Sequence, residues 1–377
     1  MEKILINASN LKVGGGLQVG VATVQELINN HKKYALEFGF TFVFALSSNV
    51  IEQLDIPDGI IWKRIDLDPL HIKCFWKVRR QLNNLVFNEN IDKVFSVFGP
   101  TYWKPKGVPH LVGFANAWLV ASIDNIAYKQ LSFLNKYKLF FKNKILATIM
   151  FDKHSYFVTE TLAMKNAFIG KFKQDNIFVV SNTLSNGFLT DKIPEKSKLD
   201  ILDSNDSFKF LTVSHNYPHK NLAVISEVGA LLENSGLDII FVVTFPTDVY
   251  EEQSDEFKKY TINVGVLKSN ECRFVYEKCN ALFLPTLIEC FSVSYLEAMY
   301  CKLPIATSDL PFAHSICQNA ACYFNPLDVE DIANKCLEIA TDDKGIYVSK
   351  EKYKEILNRT GDNESRVSSY LSLVCKI

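Results

Sequence analysis

Short apolar runs alternate with longer stretches in which apolar residues recur at helical spacing, and this alternation continues along the whole chain. KILINAS (3–9) and the run YALEFGFTFVFALSS (34–48) have the β-branched and aromatic content of buried strands. Strands that alternate with helices predict parallel sheets covered by helices, an α/β architecture. In open parallel sheets, ligands bind beyond the carboxyl ends of the strands. The loops at those ends are therefore the candidate sites.

The length of the chain predicts two domains, because 377 residues exceed what a single core usually supports. A polar segment rich in Asn, Asp, Lys and Ser separates the two halves of the pattern. We predict a first domain over residues 1–182, a linker over 183–206 and a second domain over 207–355. A C-terminal helix over 356–377 is expected to pack back on the first domain. Each domain is predicted to be doubly wound, and the two are predicted to face each other across a cleft.

Composition narrows the classes of function and the compartment. The net charge of -1 gives no global basic field for nucleic acid. No apolar run approaches the roughly 18–20 residues that span a bilayer, and the first residues, MEKILINASN, indicate a strand rather than a secretory signal. Nine cysteines without a CxxC pair suit a reducing compartment and argue against a zinc site. These features predict a cytoplasmic protein that does not bind nucleic acid.

Two acids stand in the apolar stretch IECFSVSYLEAM, at Glu289 and Glu297. Burying a carboxylate without a partner costs roughly several kcal/mol of free energy, so both acids need partners. One interpretation is a capping box, in which Ser294 caps a helix and Glu297 returns a bond to the serine amide. That interpretation leaves Glu289 unexplained.

The second interpretation of this stretch is a ligand site. Glu289 follows the predicted strand 281–285, and the next residues enter a helix. Free backbone amides and the helix dipole at such a point form a donor-rich corner for an anion or for sugar oxygens. Carboxylates that accept from hydroxyls can hold a sugar or a ribose. The residues that would supply these amides are Phe291, Ser292 and Val293.

Lys220 lies at the predicted start of a helix, in the segment VSHNYPHKNL. The helix dipole disfavours a cation at this position unless an anion is bound nearby. A lysine together with the amides of a helix start is suited to phosphate oxygens. The alternative is a solvated lysine without a ligand.

Both segments resemble one family. PTLIECFSVSYLEAMYCKLPIATSDLPFAHSICQNAACYFNP is similar to the donor-site region, with its E-x7-E motif, of retaining glycosyltransferases of family 4 (glycosyl transferases group 1). VSHNYPHKNL resembles the phosphate-binding loop of the same family, and the two matches cover most of residues 207–340. The resemblance implies the GT-B fold, two Rossmann-like doubly wound domains facing a central cleft. It also implies that Glu289 contacts the donor sugar, Glu297 holds the ribose, and Lys220 neutralises the diphosphate.

The sequence departs from the family pattern at two site positions. His215 stands where relatives commonly carry arginine, so a bidentate clamp on phosphate is lost. Ser292 replaces the second glycine of the family's E-G-F-G pattern and narrows the room near the sugar. The predicted donor-binding set is His215, Lys220, Glu289, Phe291, Ser292, Val293 and Glu297, with Glu289 and Lys220 as the catalytic residues.

The residues predicted to contact the acceptor rest on a weaker resemblance to the family. The glycine loop 13–17 lies where related enzymes place a loop near the diphosphate and acceptor, and Gly15 and Gly16 allow close backbone approach. A plain strand-to-helix turn is the alternative. Asn116 stands where many relatives carry a catalytic histidine, and its amide could bond a sugar hydroxyl. His110, before an apolar strand, is expected to be structural.

The segment from Lys129 to Lys153 holds six lysines and one acid, a net charge of +5, with aromatic residues between them. This composition is typical of a helix that lies on an anionic membrane surface. A solvated helix whose apolar face packs on its own sheet is an equal alternative. A lipid-linked acceptor would favour the first.

The family resemblance implies a retaining, metal-independent hexosyltransferase-like enzyme of surface polysaccharide or glycoconjugate biosynthesis. Its expected location is cytoplasmic or peripheral on the inner face of the membrane. The donor is expected to be a UDP- or GDP-sugar, the acceptor a glycan or lipid-linked molecule, and no cofactor is expected. Asp66-Leu67-Asp68 matches the metal-binding D-x-D pattern but lies far from the donor loops in sequence. A nucleotide-sugar 2-epimerase of similar fold and a non-catalytic sugar-nucleotide-binding subunit remain as alternatives.

Overall fold

The computed structural model describes residues 1–66, 72–99, 101–150, 154–190, 200–203, 206–342 and 344–377. Its contacts divide the chain into two units. Unit 1 comprises Met1–Ile123, Phe133–Asn182 and Asp362–Ile377, and unit 2 comprises Asp124–Ser132 and Thr183–Gly361. The predicted linker 183–206 lies only partly within the described residues, and its described part belongs to unit 2.

Each unit contains one parallel sheet. The sheet of unit 1 has the order β3-β2-β1-β4-β5-β6-β7 and that of unit 2 the order β10-β9-β8-β11-β12-β13. The strands of unit 1 are β1 (Glu2–Ala8), β2 (Phe40–Leu46), β3 (Ile61–Arg64), β4 (Lys93–Ser96), β5 (His110–Gly113), β6 (Tyr156–Thr159) and β7 (Ile177–Val179). Those of unit 2 are β8 (Phe208–Thr212), β9 (Ile239–Val243), β10 (Thr261–Asn263), β11 (Ala281–Leu284), β12 (Ile305–Ser308) and β13 (Cys322–Phe324). Both orders reverse direction beside the first strand of the unit, as in doubly wound folds.

The helices lie between the strands, as the alternating pattern predicts. In chain order they are α1 (Gly14–Asn29), α2 (His31–Phe38), α3 (Ser48–Ile51), α4 (Ile72–Asn88), α5 (Ala117–Val120), α6 (Ile126–Lys129), α7 (Phe133–Met150), α8 (Leu162–Phe172), α9 (Asp200–Asp203), α10 (Val224–Glu233), α11 (Thr247–Glu251), α12 (Asp255–Lys259), α13 (Ser269–Glu277), α14 (Ser294–Tyr300), α15 (Pro311–Cys317), α16 (Val329–Ala340), α17 (Lys350–Thr360) and α18 (Asn363–Lys376).

The central strands are buried on both faces. Five consecutive residues of β1, from Ile4 to Ala8, are buried, and so are all four residues of β11. Strands enclosed by helices on both sides show continuous apolar runs instead of polar alternation, because neither face meets water. This explains why these strands could be predicted from their apolar runs.

The C-terminal region differs from the single helix predicted over 356–377. It forms two helices, α17 and α18, and the predicted boundary at 355/356 falls inside α17. Gly361, with a positive φ of 67°, ends α17, and Asp362 begins α18 with a capping box to Ser365. A glycine followed by a capping residue breaks the helical path at this point.

Helix α18 is part of unit 1 and is anchored to α1 by buried polar contacts. The amide of Asn363 donates to the carbonyl oxygen of Ala22 at 2.9 Å. The guanidinium of Arg366, which is only 4% exposed, donates to Thr23 at 3.2 Å and also to Asn182. Burial lowers the pKa of this guanidinium, although nearby acids such as Glu160 oppose the shift.

The prediction of a glycine loop over residues 13–17 is wrong. Helix α1 begins at Gly14, so Gly15 and Gly16 form its first turn and not a loop. The helix start has no side-chain cap, and a Cβ atom added at any of these three glycines would meet open space. Packing of the later turns against the core stabilises the helix despite its glycine-rich start.

Among the described residues, no helix combines the length and the apolar character that crossing a bilayer requires.

Candidate functional site

Two neighbouring strands of unit 2 bring the predicted donor loops to the same edge of the sheet. Strands β8 and β11 pair in parallel, with Leu211 opposite Leu282. The Thr212 hydroxyl, at the end of β8, donates to the carbonyl oxygen of Phe283 at 2.5 Å. Since both strands end at this edge, the loop 213–217 and the loop 285–293 leave the sheet side by side.

The backbone of His219 ties these two loops together. Its carbonyl oxygen accepts from the Leu287 amide at 2.8 Å and from the Thr286 hydroxyl at 3.1 Å. Pro218–Lys220 form a single 3₁₀ turn, and Asn221 follows in the left-handed conformation. The Asn221 side chain donates to the carbonyl oxygen of Pro326 at 2.9 Å, which fixes the other end of the turn.

Lys220 and Glu289 form an ion pair at this junction. The two residues are 69 positions apart in sequence, and the sheet and the His219 contacts bring them together. Their side chains are 19% and 7% exposed. A charge pair this well shielded interacts more strongly than a surface pair, because water screens it less.

The aromatic residues before Lys220 contact one another, and two of the three rings stack. The rings of Tyr217 and His219 lie parallel at 5.6 Å, and the ring of His215 lies 5.5 Å from that of Tyr217. Burial, assisted by the charge of Lys220, lowers the pKa of His219 to about 4. His219 is therefore neutral near pH 7 and adds no charge beside Lys220. The predicted donor residue His215 is exposed at the outer end of these three rings.

Glu297 has a partner that the sequence did not indicate. It lies on α14 and is 8% exposed, and its Oε2 accepts a hydrogen bond of 2.8 Å from the hydroxyl of Tyr276 on α13. Burial raises the pKa of Glu297 to about 7, and the bond from Tyr276 opposes that rise. The capping-box interpretation is wrong, because Val293 occupies the cap position of α14 without a side-chain bond.

The other predicted donor residues line the approach to α14. Ser292 is buried, whereas Phe291 and Val293 are partly buried, and all three precede the first residue of the helix. The carbonyl oxygens of Ser292 and Val293 accept from the amides of Tyr295 and Glu297. These three residues therefore lie ahead of α14 and not in its first turn, so the expectation that they enter the helix is wrong, and their amides stay a predicted anion site.

The acceptor-side candidates belong to unit 1. Gly15 and Gly16 lie in the first turn of α1, and Asn116 precedes α5. The Oδ1 of Asn116 is shielded from solvent and accepts no hydrogen bond from the described part of the chain. A buried acceptor in this state usually bonds a water or a ligand. His110 is 3% exposed, and its Nε2 lies 2.8 Å from the Ser96 hydroxyl, as a structural histidine would.

The D-x-D residues give no metal site within the described residues. Asp66 accepts from the Ser48 amide at 2.7 Å and from Arg64 at 3.1 Å, and Asp68 lies outside the described residues. Over the ranges that the structure covers, no three His, Cys, Asp or Glu side chains converge as metal ligands would. The expected independence from metal stays a prediction.

Sequence reasoning missed Tyr276 and His219. Tyr276 is separated from Glu297 by 21 residues, and nothing in the local pattern of α13 distinguishes it from an ordinary core residue. His219 adjoins Lys220, so its position was visible, but the tie through its backbone carbonyl depends on the fold. The only sequence signal for His219 is its position next to Lys220, the residue predicted to bind phosphate.

Comparison with known proteins supports the resemblance over the second half of the chain. Residues 195–358 match the model of the family described as "Glycosyl transferases group 1". The O-antigen chain mannosyltransferase RfbU of Salmonella typhimurium is 26% identical over 194 residues, which are 51% of this chain and 52% of that protein. The match thus spans about half the length of this relative.

Solved structures resemble the whole chain. Anabaena Alr3699/HepE, solved in complex with UDP and glucose, has a TM-score of 0.70 at 12% identity and covers 100% of both chains. WaaG, a glycosyltransferase involved in lipopolysaccharide biosynthesis, has a TM-score of 0.66 at 14% identity and covers 98% of this chain and 99% of its own. At such identities the likeness establishes the fold alone.

These findings confirm two predictions. The chain has the α/β architecture of the GT-B glycosyltransferases, with two Rossmann-like parallel sheets. The resemblance to group 1 glycosyltransferases is confirmed over residues 195–358. Membership of family 4 within that group stays a prediction.

Proposed function

We propose that the protein is a retaining glycosyltransferase that moves a hexose from a UDP- or GDP-sugar to a glycan or lipid-linked acceptor in surface polysaccharide or glycoconjugate biosynthesis. The observation that carries the proposal is the shielded pair of Lys220 and Glu289 at the carboxyl ends of β8 and β11. This pair lies in the segment that matches the group 1 model. RfbU, HepE and WaaG, by the names and titles they carry, support the choice of substrate class.

The pair suits a donor that carries both a diphosphate and a sugar. A diphosphate would take over Lys220, since two phosphate charges attract a lysine more strongly than one carboxylate does. Glu289, released from the lysine, could then accept hydrogen bonds from sugar hydroxyls. Pairing with each other therefore keeps Lys220 close to the proposed diphosphate position and Glu289 close to the proposed sugar position.

Transfer breaks the bond between the anomeric carbon and a phosphate oxygen and forms a bond from that carbon to an acceptor oxygen. The electron pair of the broken bond stays on the leaving diphosphate, where Lys220 and the amides before α14 stabilise the growing negative charge. In front-face attack, the acceptor proton passes to an oxygen of that phosphate. This route retains the anomeric configuration and needs no separate protein base. Because Lys220 supplies the cation, we expect no requirement for metal.

The donor assignment is tested by thermal denaturation with a panel of UDP- and GDP-sugars. We expect one donor to raise Tm by at least about 3 °C at about 100 times its Kd, because ligand binding stabilises the native state. The Lys220→Met variant is the matched control and should show no shift. If none of the sugar nucleotides shifts the intact protein, the proposed donor class is wrong.

Incubating the stabilising donor with the protein alone identifies the reaction. A glycosyltransferase should release free sugar slowly by hydrolysis, and an epimerised sugar nucleotide would instead support the epimerase. Binding without any turnover, with or without candidate acceptors, would support the non-catalytic subunit.

We further propose that the protein binds an anionic membrane surface through α7, within the basic segment Lys129–Lys153. Its residues 151–153 lie outside the described residues. Five large apolar side chains of α7 face solvent: Phe133 (73% exposed), Leu134 (79%), Tyr137 (40%), Phe141 (57%) and Ile145 (62%). Residues four apart recur on one side of a helix, so most of these form a single stripe. Exposed apolar surface of this extent usually marks an interaction site.

Lysines border the apolar stripe of α7. Lys138, Lys142 and Lys144 are exposed, whereas Asn143 and Leu146 on the opposite side are buried in unit 1. The helix thus buries a small mixed face and leaves its aromatic face free. A solvated helix with its apolar face on its own sheet would show the reverse, so the burial pattern favours the membrane interpretation.

Sedimentation with lipid vesicles tests this surface. We expect binding to vesicles that contain about 30% phosphatidylglycerol, and at least tenfold weaker binding after Lys138, Lys142 and Lys144 are changed to Gln, because each lysine near an anionic surface contributes about 1 kcal/mol. The matched control changes Lys350, Lys352 and Lys354 of α17 in the same way and should bind as the unmodified protein does. Equal losses in both variants, or no binding by the intact protein, would refute the assignment.

A further inference from the structure

The hydrogen bond from Tyr276 fixes one oxygen of the Glu297 carboxylate and leaves the other available. Tyr276 Oη donates to Oε2 at 2.8 Å. Within the described ranges, Oε1 of Glu297 accepts no hydrogen bond. A carboxylate held through one oxygen presents the other in a defined direction.

Tyr276 is itself held rigidly. Its side chain is fully buried, and its ring packs edge-on against Phe188 at 5.8 Å with an interplanar angle of 83°. Burial raises the pKa of Tyr276 well above its usual value, and the Ser294 hydroxyl at the start of α14 opposes that rise. A buried ring fixed by packing loses little further conformational freedom when it orients a neighbour.

Among the described residues, the titratable groups that interact with Glu297 carry no opposite charge. The titratable groups that interact with it are Tyr276 and Cys272 on α13 and Cys301 at the end of α14. Burial raises the pKa of all three, and the pKa of Cys301 is about 12, so all are neutral near pH 7. The hydrogen bond from Tyr276 is thus the main interaction among described residues that favours the ionised form of Glu297.

We propose that Tyr276 is a positioning residue for nucleotide recognition, which holds Oε2 of Glu297 so that Oε1 can accept hydrogen bonds from the ribose hydroxyls of the donor. This inference rests on the proposed function, because it takes the donor to be a nucleotide sugar and gives Glu297 the ribose-binding role that the family resemblance implies. It adds a determinant on α13, outside both donor loops, that acts through Glu297 without touching the donor.

The arrangement makes ribose recognition dependent on pH. Only the ionised carboxylate accepts from both ribose hydroxyls, and the pKa of Glu297 is about 7. Affinity for a ribonucleotide should therefore rise as pH increases through about 7 and level off above it. Loss of the Tyr276 bond removes an interaction with the ionised form, which raises the pKa of Glu297 further and moves the midpoint of this rise to higher pH.

The test compares binding of UDP and GDP with binding of their 2′,3′-dideoxy analogues to the Tyr276→Phe variant. We expect about tenfold weaker binding of the ribonucleotide that the intact protein prefers, little change for its dideoxy analogue, and a pH midpoint displaced upward. A merely structural role would weaken both ligands alike. The matched control is Tyr295→Phe, since Tyr295 is equally buried on α14 but its hydroxyl pairs with Thr307 at 2.7 Å.

The outcomes separate this inference from the proposed function. Equal weakening of ribose and dideoxy ligands in Tyr276→Phe, an unmoved pH midpoint, or an equal effect of Tyr295→Phe would overturn the role of Tyr276 while nucleotide binding by the intact protein stands. Failure of the intact protein to bind either nucleotide would instead remove the proposed function, and the inference with it.

Discussion

Replacing Lys220 with methionine should lower kcat/KM for sugar transfer about 10²- to 10³-fold. Methionine keeps the length of the side chain but removes the only described cation that pairs with Glu289. A charged donor aimed at a leaving group typically contributes this much to the rate, because it acts where charge develops. Steady-state kinetics with the donor identified by the thermal panel measure the effect.

Loss of Lys220 also leaves the shielded carboxylate of Glu289 without its partner. Part of the loss of activity would then come from destabilisation of the fold. We expect Lys220→Met to lower the free energy of unfolding by about 1–3 kcal/mol. The double variant Lys220→Met/Glu289→Gln removes both charges and should recover most of that stability without recovering activity. Recovery of activity together with stability would show that Lys220 is a structural residue.

Replacing Glu289 with glutamine should separate nucleotide binding from transfer. Glutamine preserves the size of the side chain but no longer neutralises Lys220. UDP or GDP, which lack the sugar, should bind about fivefold more tightly, because no ion pair has to be broken first. Transfer should fall about 100-fold, because the carboxylate that accepts from the sugar hydroxyls is lost. Calorimetry on the nucleotide and kinetics on the donor measure the two effects.

Asn116→Ala is the comparison for the Glu289 variant. It changes an acceptor-side candidate in unit 1 and should leave nucleotide affinity unaltered. Full activity of Glu289→Gln combined with loss of activity in Asn116→Ala would show that Glu289 does not contact the transferred sugar.

The strands of both units could be predicted because burial on both faces leaves an unambiguous local pattern. FTFVFAL contains one polar residue, Thr41, and its other six residues are buried. A few consecutive residues are therefore enough to predict each core strand. Its pairing with the next strand follows from the parallel architecture.

Features that depend on distant contacts could not be predicted. Three consecutive glycines indicate a loop, yet Gly14 begins a helix whose later turns pack against α18, more than 300 residues away. Gly20 shows how closely this helix packs: a Cβ atom at this position would lie 2.1 Å from a methyl carbon of Leu11. Tertiary contacts override the local preference of the glycines.

The candidate site shows the same division. The spacing of Glu289 and Glu297, the position of Lys220 at a predicted helix start and the family resemblance of both segments together predict a phosphate and sugar site. That Lys220 pairs with Glu289 depends on the pairing of β8 with β11, and that Glu297 accepts from Tyr276 depends on how α13 packs beside α14. Similarly, the aromatic residues of α7 were visible in the sequence, but only the structure shows that they face outward.

A crystal structure with the intact sugar nucleotide bound shows directly whether Lys220 and Glu289 hold the donor. We predict a diphosphate oxygen about 3 Å from Nζ of Lys220, with the contact between Lys220 and Glu289 broken and a sugar hydroxyl within hydrogen-bonding distance of Glu289. A diphosphate bound elsewhere, with the pair of Lys220 and Glu289 intact, would contradict the account.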